Sequence, residues 1–246
     1  MKRINFFTFF FFLLVLPVFS QVPLSDEVTY PESYYEFRDA MYNSRGKTAS
    51  QYETLYNKVI SEVEATKSGL EKQVLIARCK YVLGRAYRYI GLNEKAANCF
   101  EESINLCKKI FKKTNIPEAY VVAAECISQN CIIQSTTYSL TQGPKIRSYA
   151  KKALETDPSY GAAIYLQNSQ NIFTPAPFNN YEEGHACLDE MLNTNNFRMD
   201  KSDIFNALSA KGYAYLQENK PDEAKIYLQK ALEIYPDNQY VLDLLP

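Results

Sequence analysis

An internal repeat is the feature that most constrains the fold of this chain. The segments CKYVLGRAYRYIGLNEKAANCFEESINLC (79–107) and ALSAKGYAYLQENKPDEAKIYLQKALEIYP (207–236) align without a gap when Gly84 is set against Gly212. Tyrosine, alanine and large apolar residues then coincide at the same spacing in both segments. A recurring unit of this kind predicts modules that stack on their neighbours, because one unit alone cannot bury its apolar face.

The second half of each segment follows the period of an α-helix. In the later segment, apolar residues lie at i, i+3, i+4, i+7, i+8 and i+11, counted from Ala224. This spacing forms one continuous apolar stripe on a helix. The earlier segment repeats the stripe from Ala96 and places Cys99 and Cys107 where the later segment has tyrosine. Each segment therefore predicts a helix hairpin, with these cysteines as small core side chains.

Single residues mark close packing and helix ends in these hairpins. A glycine inside a helix costs about 1 kcal/mol relative to alanine, so Gly84 and Gly212 indicate that another helix passes too close for a side chain, opposite the small residues Ala96 and Ala224. The start of the second helix of each hairpin is also indicated. We expect Asn93 to be the N-cap of one and Pro221 to be the first helical residue of the other.

These residues resemble the tetratricopeptide repeat, a helix–turn–helix unit of 34 residues. The later unit matches the family pattern at Gly212, Tyr215, Ala224, Leu228, Ala231 and Pro236. The earlier unit matches it at Leu83, Gly84, Tyr87, Gly91, Ala96 and Phe100, and departs from it at Ser103 and Lys108. The resemblance implies an all-α fold, an α-solenoid of stacked antiparallel helix hairpins with a right-handed superhelical twist. It also implies a concave groove, lined by the first helices, that holds segments of partner proteins.

The repeat pattern weakens between the two clear units, although helical patterns continue. Further helices are predicted at 32–47, 48–69, 118–140, 145–161, 159–173 and 181–193. The intervening segments contain Pro, Gly or Asn and are expected to form loops. The chain is therefore divided into an N-terminal segment with a short helix at 21–47 and a repeat domain at 48–246.

Two further segments leave alternatives open. TPAPFNN (174–180) is held extended by its prolines, and it is either a recognition loop that exposes Phe178 or a spacer whose Phe178 packs on neighbouring helices. DNQYVLDLLP (237–246) predicts a short capping helix. Its leucines could instead bind a partner or a second copy of the chain; they are Leu242, Leu244 and Leu245.

The first 20 residues have the pattern of a secretory signal peptide. Lys2 and Arg3 precede an apolar run from Phe6 to Leu16, and Ser20 offers a cleavage point. The alternative is an uncleaved membrane anchor, for which the apolar run is short. We expect an exported protein, periplasmic or secreted, whose mature chain begins at residue 21 and has no stable membrane span.

Charge and cysteine content exclude several classes of protein. Two of the 27 basic residues and none of the 28 acidic ones lie in the first 20 positions, so the mature chain has a net charge near −3. This balance gives no general indication of nucleic-acid binding. The six cysteines include no CxxC pair, and a chain of this length buries a core without staples. We expect buried thiols, with a disulfide framework as the alternative for an exported chain.

One helix face of the earlier unit carries a candidate binding site. Arg78, Tyr81, Arg85, Arg88 and Tyr89 lie at i, i+3, i+7, i+10 and i+11, which places them on one side of the helix. By the resemblance, this side points into the groove. Arginine binds carboxylates through paired hydrogen bonds and stacks on aromatic rings, so we expect it to contact a protein or peptide. The alternative is an arginine face that balances nearby acidic residues, namely Glu94, Glu101 and Glu102.

The sequence contains no recognisable catalytic or metal-binding arrangement. His185 is the only histidine, the paired carboxylates are adjacent and splay apart on a helix, and no glycine-rich phosphate loop is present. We expect no enzymatic activity, no metal and no cofactor. The sequence predicts an extracytoplasmic scaffold that mediates protein–protein interaction through a concave groove. The alternative is a periplasmic accessory protein of a transporter or envelope-assembly system that binds a small anionic ligand.

Overall fold

A computed structural model describes residues 28–246. The expected signal peptide and the first residues of the N-terminal segment lie outside the described residues. Within 28–246 the chain forms twelve α-helices and no strand, and an isolated bridge joins Tyr160 and Arg198. The helices are α1 Glu32–Tyr42, α2 Ala49–Thr66, α3 Gly69–Tyr89, α4 Asn93–Phe111, α5 Pro117–Ile133, α6 Thr136–Gln142, α7 Pro144–Thr156, α8 Gly161–Phe173, α9 Tyr181–Asn193, α10 Lys201–Gln217, α11 Pro221–Ile234 and α12 Gln239–Leu244.

The helices pack as hairpins that stack in chain order. Helix α3 packs against α4, α5 against α7, α8 against α9, and α10 against α11. Contacts of α4 with α5, of α7 with α8, and of α8 with α10 join consecutive hairpins. At the start of the array, α2 packs on α3, and α1 packs on both. The prediction of an all-α array of stacked helix hairpins is confirmed.

Two glycines allow the helices of the clear hairpins to approach closely. A Cβ atom on Gly84 would lie 2.5 Å from the ring of Phe100, and one on Gly212 would lie 2.6 Å from the side chain of Leu228. Nonbonded carbon atoms do not approach to these distances, so the predicted need for glycine is confirmed. The close contacts are made mainly by these larger side chains. The expected partner Ala224 contributes only its carbonyl oxygen, at 3.3 Å.

Two of the predicted helix boundaries are wrong. The single helix expected at 118–140 is interrupted, because Gln134 has an extended backbone and the Ser135 side chain accepts a hydrogen bond from the Tyr138 amide, which starts α6. Asn93 is the first helical residue of α4 rather than its N-cap, and its side chain makes no capping hydrogen bond. Pro221 occupies the first position of α11, as expected.

Cysteines and C-terminal leucines mostly contribute to packing. All six cysteines are free, and those at positions 79, 107 and 126 are buried. The other three, Cys99, Cys131 and Cys187, are only partly buried, so the prediction of buried thiols holds for Cys107 but not fully for Cys99. The predicted capping helix is present as α12, and Leu244 and Leu245 are partly buried against the core. Much of their apolar surface is thereby used within the chain.

Candidate functional site

Helix α1 packs on α3 and reaches α10 through its side chains, so it contacts the first helices of the first and the last clear hairpins. Its Arg38 forms a 2.6 Å ion pair with Asp200, and both side chains are almost fully buried. Asp200 is the N-cap of α10, where its carboxylate also accepts hydrogen bonds from backbone amides of the first turn. At the end of α1, Tyr42 stacks on Tyr235 with 4.6 Å between the ring centres. The N-terminal helix is therefore fixed to the last hairpin as well as to the first.

Glu118 connects several elements on the same side of the array. This fully buried carboxylate accepts hydrogen bonds from Tyr30, ahead of α1, and from Tyr160, ahead of α8. Arg78 of α3 donates to it at 2.7 Å and also pairs with Glu125, two turns along α5. A buried charge is costly unless it is paired, so this network fixes how these elements meet. We call the sides of α3, α5, α8 and α10 that contact α1 and Tyr30 the inner face.

All five residues of the predicted binding site lie on this side of α3. Arg78, Tyr81 and Arg85 are buried, and their exposed fractions are 5–6%. Arg85 donates to the hydroxyl groups of Tyr42 and Tyr81 at 2.9 and 3.2 Å. Only the last two predicted residues, Arg88 and Tyr89, keep accessible surface while α1 is in place. A role of the set in partner binding stays a prediction.

The acidic partners of these arginines are not the ones expected from the sequence. Glu102 pairs with Lys80, and Glu101 accepts hydrogen bonds from Asn130 and Tyr138. The alternative of an arginine face balanced by neighbouring acids on α4 is therefore wrong. The actual partners, at positions 118 and 125, were missed. Their spacing of seven residues within an otherwise apolar segment was the signal, because it places two charges on one face of a buried helix.

Burial and pairing shift protonation at the inner face. Burial by itself lowers the pKa of Arg78, but the carboxylates of Glu118 and Glu125 raise it well above its usual range. Burial raises the pKa of Glu125, against the opposing effect of Arg78. Burial and the charge of Asp200 together raise the pKa of Asp203 well above its usual range. The inner face therefore combines a permanently charged guanidinium with carboxyl groups that bind protons more readily than in water.

A small cavity remains between α1 and the inner face. It has a volume of about 20 Å³, which is room for a water molecule. Charged and aromatic side chains line most of it, among them Tyr34, Arg38, Arg78, Glu125 and Asp203. The alternative of a small anionic ligand thus finds no cavity of sufficient size here. Residues 28–246 contain no group of His, Cys, Asp and Glu side chains arranged to hold a metal ion.

Arg88 lies at the part of the inner face that α1 leaves accessible. Its guanidinium carbon is 4.9 Å from the centre of the Tyr89 ring, and its Nε has no hydrogen-bond partner within residues 28–246. Tyr240 is 36% exposed. Its partial burial raises the pKa of its hydroxyl group to about 12, and the neighbouring Tyr89 and Tyr213 add to this rise. Phe173, which is 44% exposed, packs on Tyr213 at 5.3 Å. We call these five residues the Arg88 rim.

Tyr89 has an unusual environment within the rim. Burial raises its pKa, but the guanidinium groups of Arg85 and Arg88 outweigh burial and hold the pKa below its ordinary value. Arg85 also donates to the Tyr89 oxygen at 2.6 Å. The rim therefore presents one accessible guanidinium beside several aromatic rings.

Two other segments singled out in the sequence have clear surroundings. His185 lies 2.7 Å from Glu218 and stacks on Tyr215 at 4.3 Å, which makes it a contact between α9 and the end of α10. Phe178 is 77% exposed. The alternative in which it packs on neighbouring helices is therefore wrong, and a recognition role of its loop stays a prediction.

The two clear hairpins match a known family. The family profile described as tetratricopeptide repeat matches residues 77–110 and residues 205–238. These ranges contain the α3–α4 and α10–α11 hairpins, each with a glycine of its first helix packed against a large side chain of its second. The chain thus contains two tetratricopeptide repeats.

A solved structure similar to this chain is that of a thermophilic TPR protein from Thermus thermophilus. The two chains are 19% identical, and the alignment covers 80% of this chain and 91% of that chain with a TM-score of 0.47. No curated protein matches the chain.

The repeats support a general role as a protein-interaction scaffold. Proteins with tetratricopeptide repeats typically bind protein partners and are generally non-catalytic. The absence of enzymatic activity nevertheless stays a prediction for this chain. Among the described residues, no helix combines the length and the apolar character needed to cross a bilayer.

Proposed function

We propose that this protein is an exported scaffold that binds a segment of another protein at the Arg88 rim. The observation that carries the proposal is the state of Arg88, a half-buried guanidinium with no carboxylate partner among residues 28–246. Arg78 and Arg85, on the same side of α3, are engaged by groups of the chain itself. Arg88 is thus the arginine of the predicted set that remains available to a partner.

The chemistry of the rim fits a carboxylate next to an apolar or aromatic side chain. A guanidinium binds a carboxylate through two parallel hydrogen bonds. The partly exposed ring of Tyr240, which lies near Arg88, supplies contact area that a partner side chain can cover. Aromatic residues and arginine are the types that contribute most to binding at interfaces.

The position of α1 limits how much of a concave groove is available. Arg38 and Tyr42 occupy the central inner face through the contacts with Asp200 and Tyr235. A partner at the Arg88 rim needs no rearrangement of these contacts. Engagement of Arg78, by contrast, requires α1 to leave, so we place the partner at the accessible end of the face.

Export is the second component of the proposal. Its support is the basic start, the apolar run and the small residue before position 21. The mass of the intact protein purified from the producing cell tests it. A mass equal to residues 21–246, recovered outside the cytoplasm, supports export with cleavage after Ser20. A cytoplasmic protein that keeps its first 20 residues contradicts it.

Crosslinking in the native cell followed by mass spectrometry identifies the partner, and substitution of Arg88 then tests the site. We expect Arg88→Glu to weaken binding of the purified partner by tenfold or more, because it replaces attraction of a carboxylate with repulsion. Arg147→Glu is the matched control, because Arg147 is exposed on α7, and we expect less than a twofold effect. Equal binding by the Arg88→Glu variant and the unmodified protein rules out the rim.

A further inference from the structure

The region around the end of α4 is strongly cationic although the whole chain is not. Residues 103–154 contain eight basic side chains and two acidic ones, whereas the full chain has 27 basic and 28 acidic residues. Both acidic side chains of this stretch, Glu118 and Glu125, are paired with Arg78 in the interior. The outer surface of the stretch therefore carries positive charge that its own carboxylates do not neutralise.

Helix electrostatics account for only part of this charge. Lys108 and Lys109 lie in the last turn of α4, where the helix dipole favours cations. Lys112 is the C-cap of that helix, and Lys113 follows it. Within residues 28–246 none of these four lysines forms an ion pair, and all four are exposed. The repulsion between them has no structural compensation in the described chain.

Three of these lysines surround an open pocket of about 400 Å³. Lys109, Lys112 and Lys113 line it together with Gln73 of α3 and Leu106 of α4, and most of its surface is carbon. Lysine can cover apolar surface with its methylene groups while the ammonium group stays in water. The pocket thus combines a small apolar floor with a cationic edge, and it is open to solvent on one side.

We propose that this pocket, the Lys112 pocket, binds an acidic segment of a second protein. One apolar side chain of that segment enters the pocket, and carboxylates on either side of it meet the lysines. Lysine is a compact point charge on a flexible stem, so it suits acidic residues whose spacing varies. The pocket is separate from the Arg88 rim, and this proposal does not rest on the proposed function of that rim.

The shape of the pocket favours a peptide over other polyanions. A concave surface with a carbon floor receives an inserted side chain, whereas an anionic membrane presents a flat surface of phosphates. Single-stranded nucleic acid is bound largely by stacking of bases on aromatic side chains, and no aromatic side chain among the described residues lines this pocket. The apolar floor is therefore the feature that distinguishes an acidic peptide from a diffuse polyanion.

Fluorescence anisotropy with two labelled peptides and the purified protein tests the proposal. The first peptide contains Asp-Glu-Leu-Glu-Asp within a Gly/Ser background, and the second contains alanine in place of the leucine. We expect the leucine peptide to bind at least fivefold more tightly, because only it fills the apolar floor. Equal affinities, or no binding of either peptide, overturn the proposal.

Charge-reversed variants locate the site. The triple variant Lys109→Glu, Lys112→Glu, Lys113→Glu is expected to bind the leucine peptide at least tenfold more weakly. The control variant Arg45→Glu, Lys225→Glu, Lys230→Glu changes the net charge equally at residues outside the pocket, and we expect less than a twofold effect. Equal losses in both variants overturn the proposal. The proposal is also overturned if the protein sediments with phosphatidylglycerol vesicles and shows no preference for the leucine peptide. That result would indicate a membrane-binding surface.

Discussion

Single residues determine how closely the hairpins pack, and Gly84 is the clearest case. The ring of Phe100 occupies the space that a Cβ atom at position 84 would need. Alanine is the better helix former by about 1 kcal/mol, so helix propensity alone would favour a substitution here. Packing opposes it, because an extra methyl group in a filled core typically costs about 1–3 kcal/mol.

We therefore predict that Gly84→Ala lowers the free energy of unfolding by up to about 2 kcal/mol, the packing cost of about 1–3 kcal/mol less the gain in helix propensity of about 1 kcal/mol. Urea unfolding of the purified protein measures it. In a Phe100→Leu background the same substitution should cost less, because the smaller side chain leaves room for the methyl group. A Gly84→Ala protein that is more stable than the unmodified one would show that the close contact is absent.

Contacts between elements depend on charged pairs that join distant parts of the chain. Asp157, at the end of α7, pairs with Arg198 ahead of α10 and also accepts hydrogen bonds from Ser159. Burial raises the pKa of Asp157, but Arg198 and Ser159 outweigh burial and hold the pKa below its usual value. The carboxylate form is therefore favoured in the folded protein, and its stabilising contribution is present above the pKa of the unfolded chain, about 3.9.

We predict that Asp157→Asn lowers the free energy of unfolding by about 1 kcal/mol at pH 7, the scale of an ordinary hydrogen bond, because solvent weakens this partly exposed pair. The difference should shrink as the pH falls below about 4, because the carboxylate of the unmodified protein is then protonated and its advantage is lost. Unfolding curves of both proteins between pH 7 and pH 3 measure this. A difference that stays constant with pH would mean that the charge contributes nothing.

At the level of elements, the sequence predicted the hairpins better than the boundaries between helices. The apolar stripes from Ala96 and Ala224 and the glycines at positions 84 and 212 were sufficient for α3–α4 and α10–α11, because both signals are local in the chain. The break between α5 and α6 depends on one side-chain capping bond at Ser135. Local hydrogen bonds of this kind compete with helix continuation and are weak signals in a polar segment.

Helix α1 connects the first hairpin to the last, and this arrangement could not be predicted from the sequence. The Arg38–Asp200 pair joins residues 162 positions apart, and the Asn238 side chain donates to the Tyr42 carbonyl across 196 positions. No periodicity or motif indicates contacts over such separations. The sequence therefore predicted which five residues share this face, but not which of them are accessible. Three of the five are buried beneath groups contributed by α1, α5 and the chain ahead of α1.

Coverage of the inner face by α1 is the central claim about this protein, and native-state hydrogen exchange measures it most directly. The amides of α1 should exchange about as slowly as those of α5, because its buried residues, such as Phe37 and Met41, are released only when the array opens. Helix α6, which has no buried residue, is the internal control and should exchange much faster. Arg38→Met should selectively accelerate exchange in α1. Exchange of α1 as rapid as that of α6 in the unmodified protein would contradict the account, because it would show that the helix does not stay on the inner face.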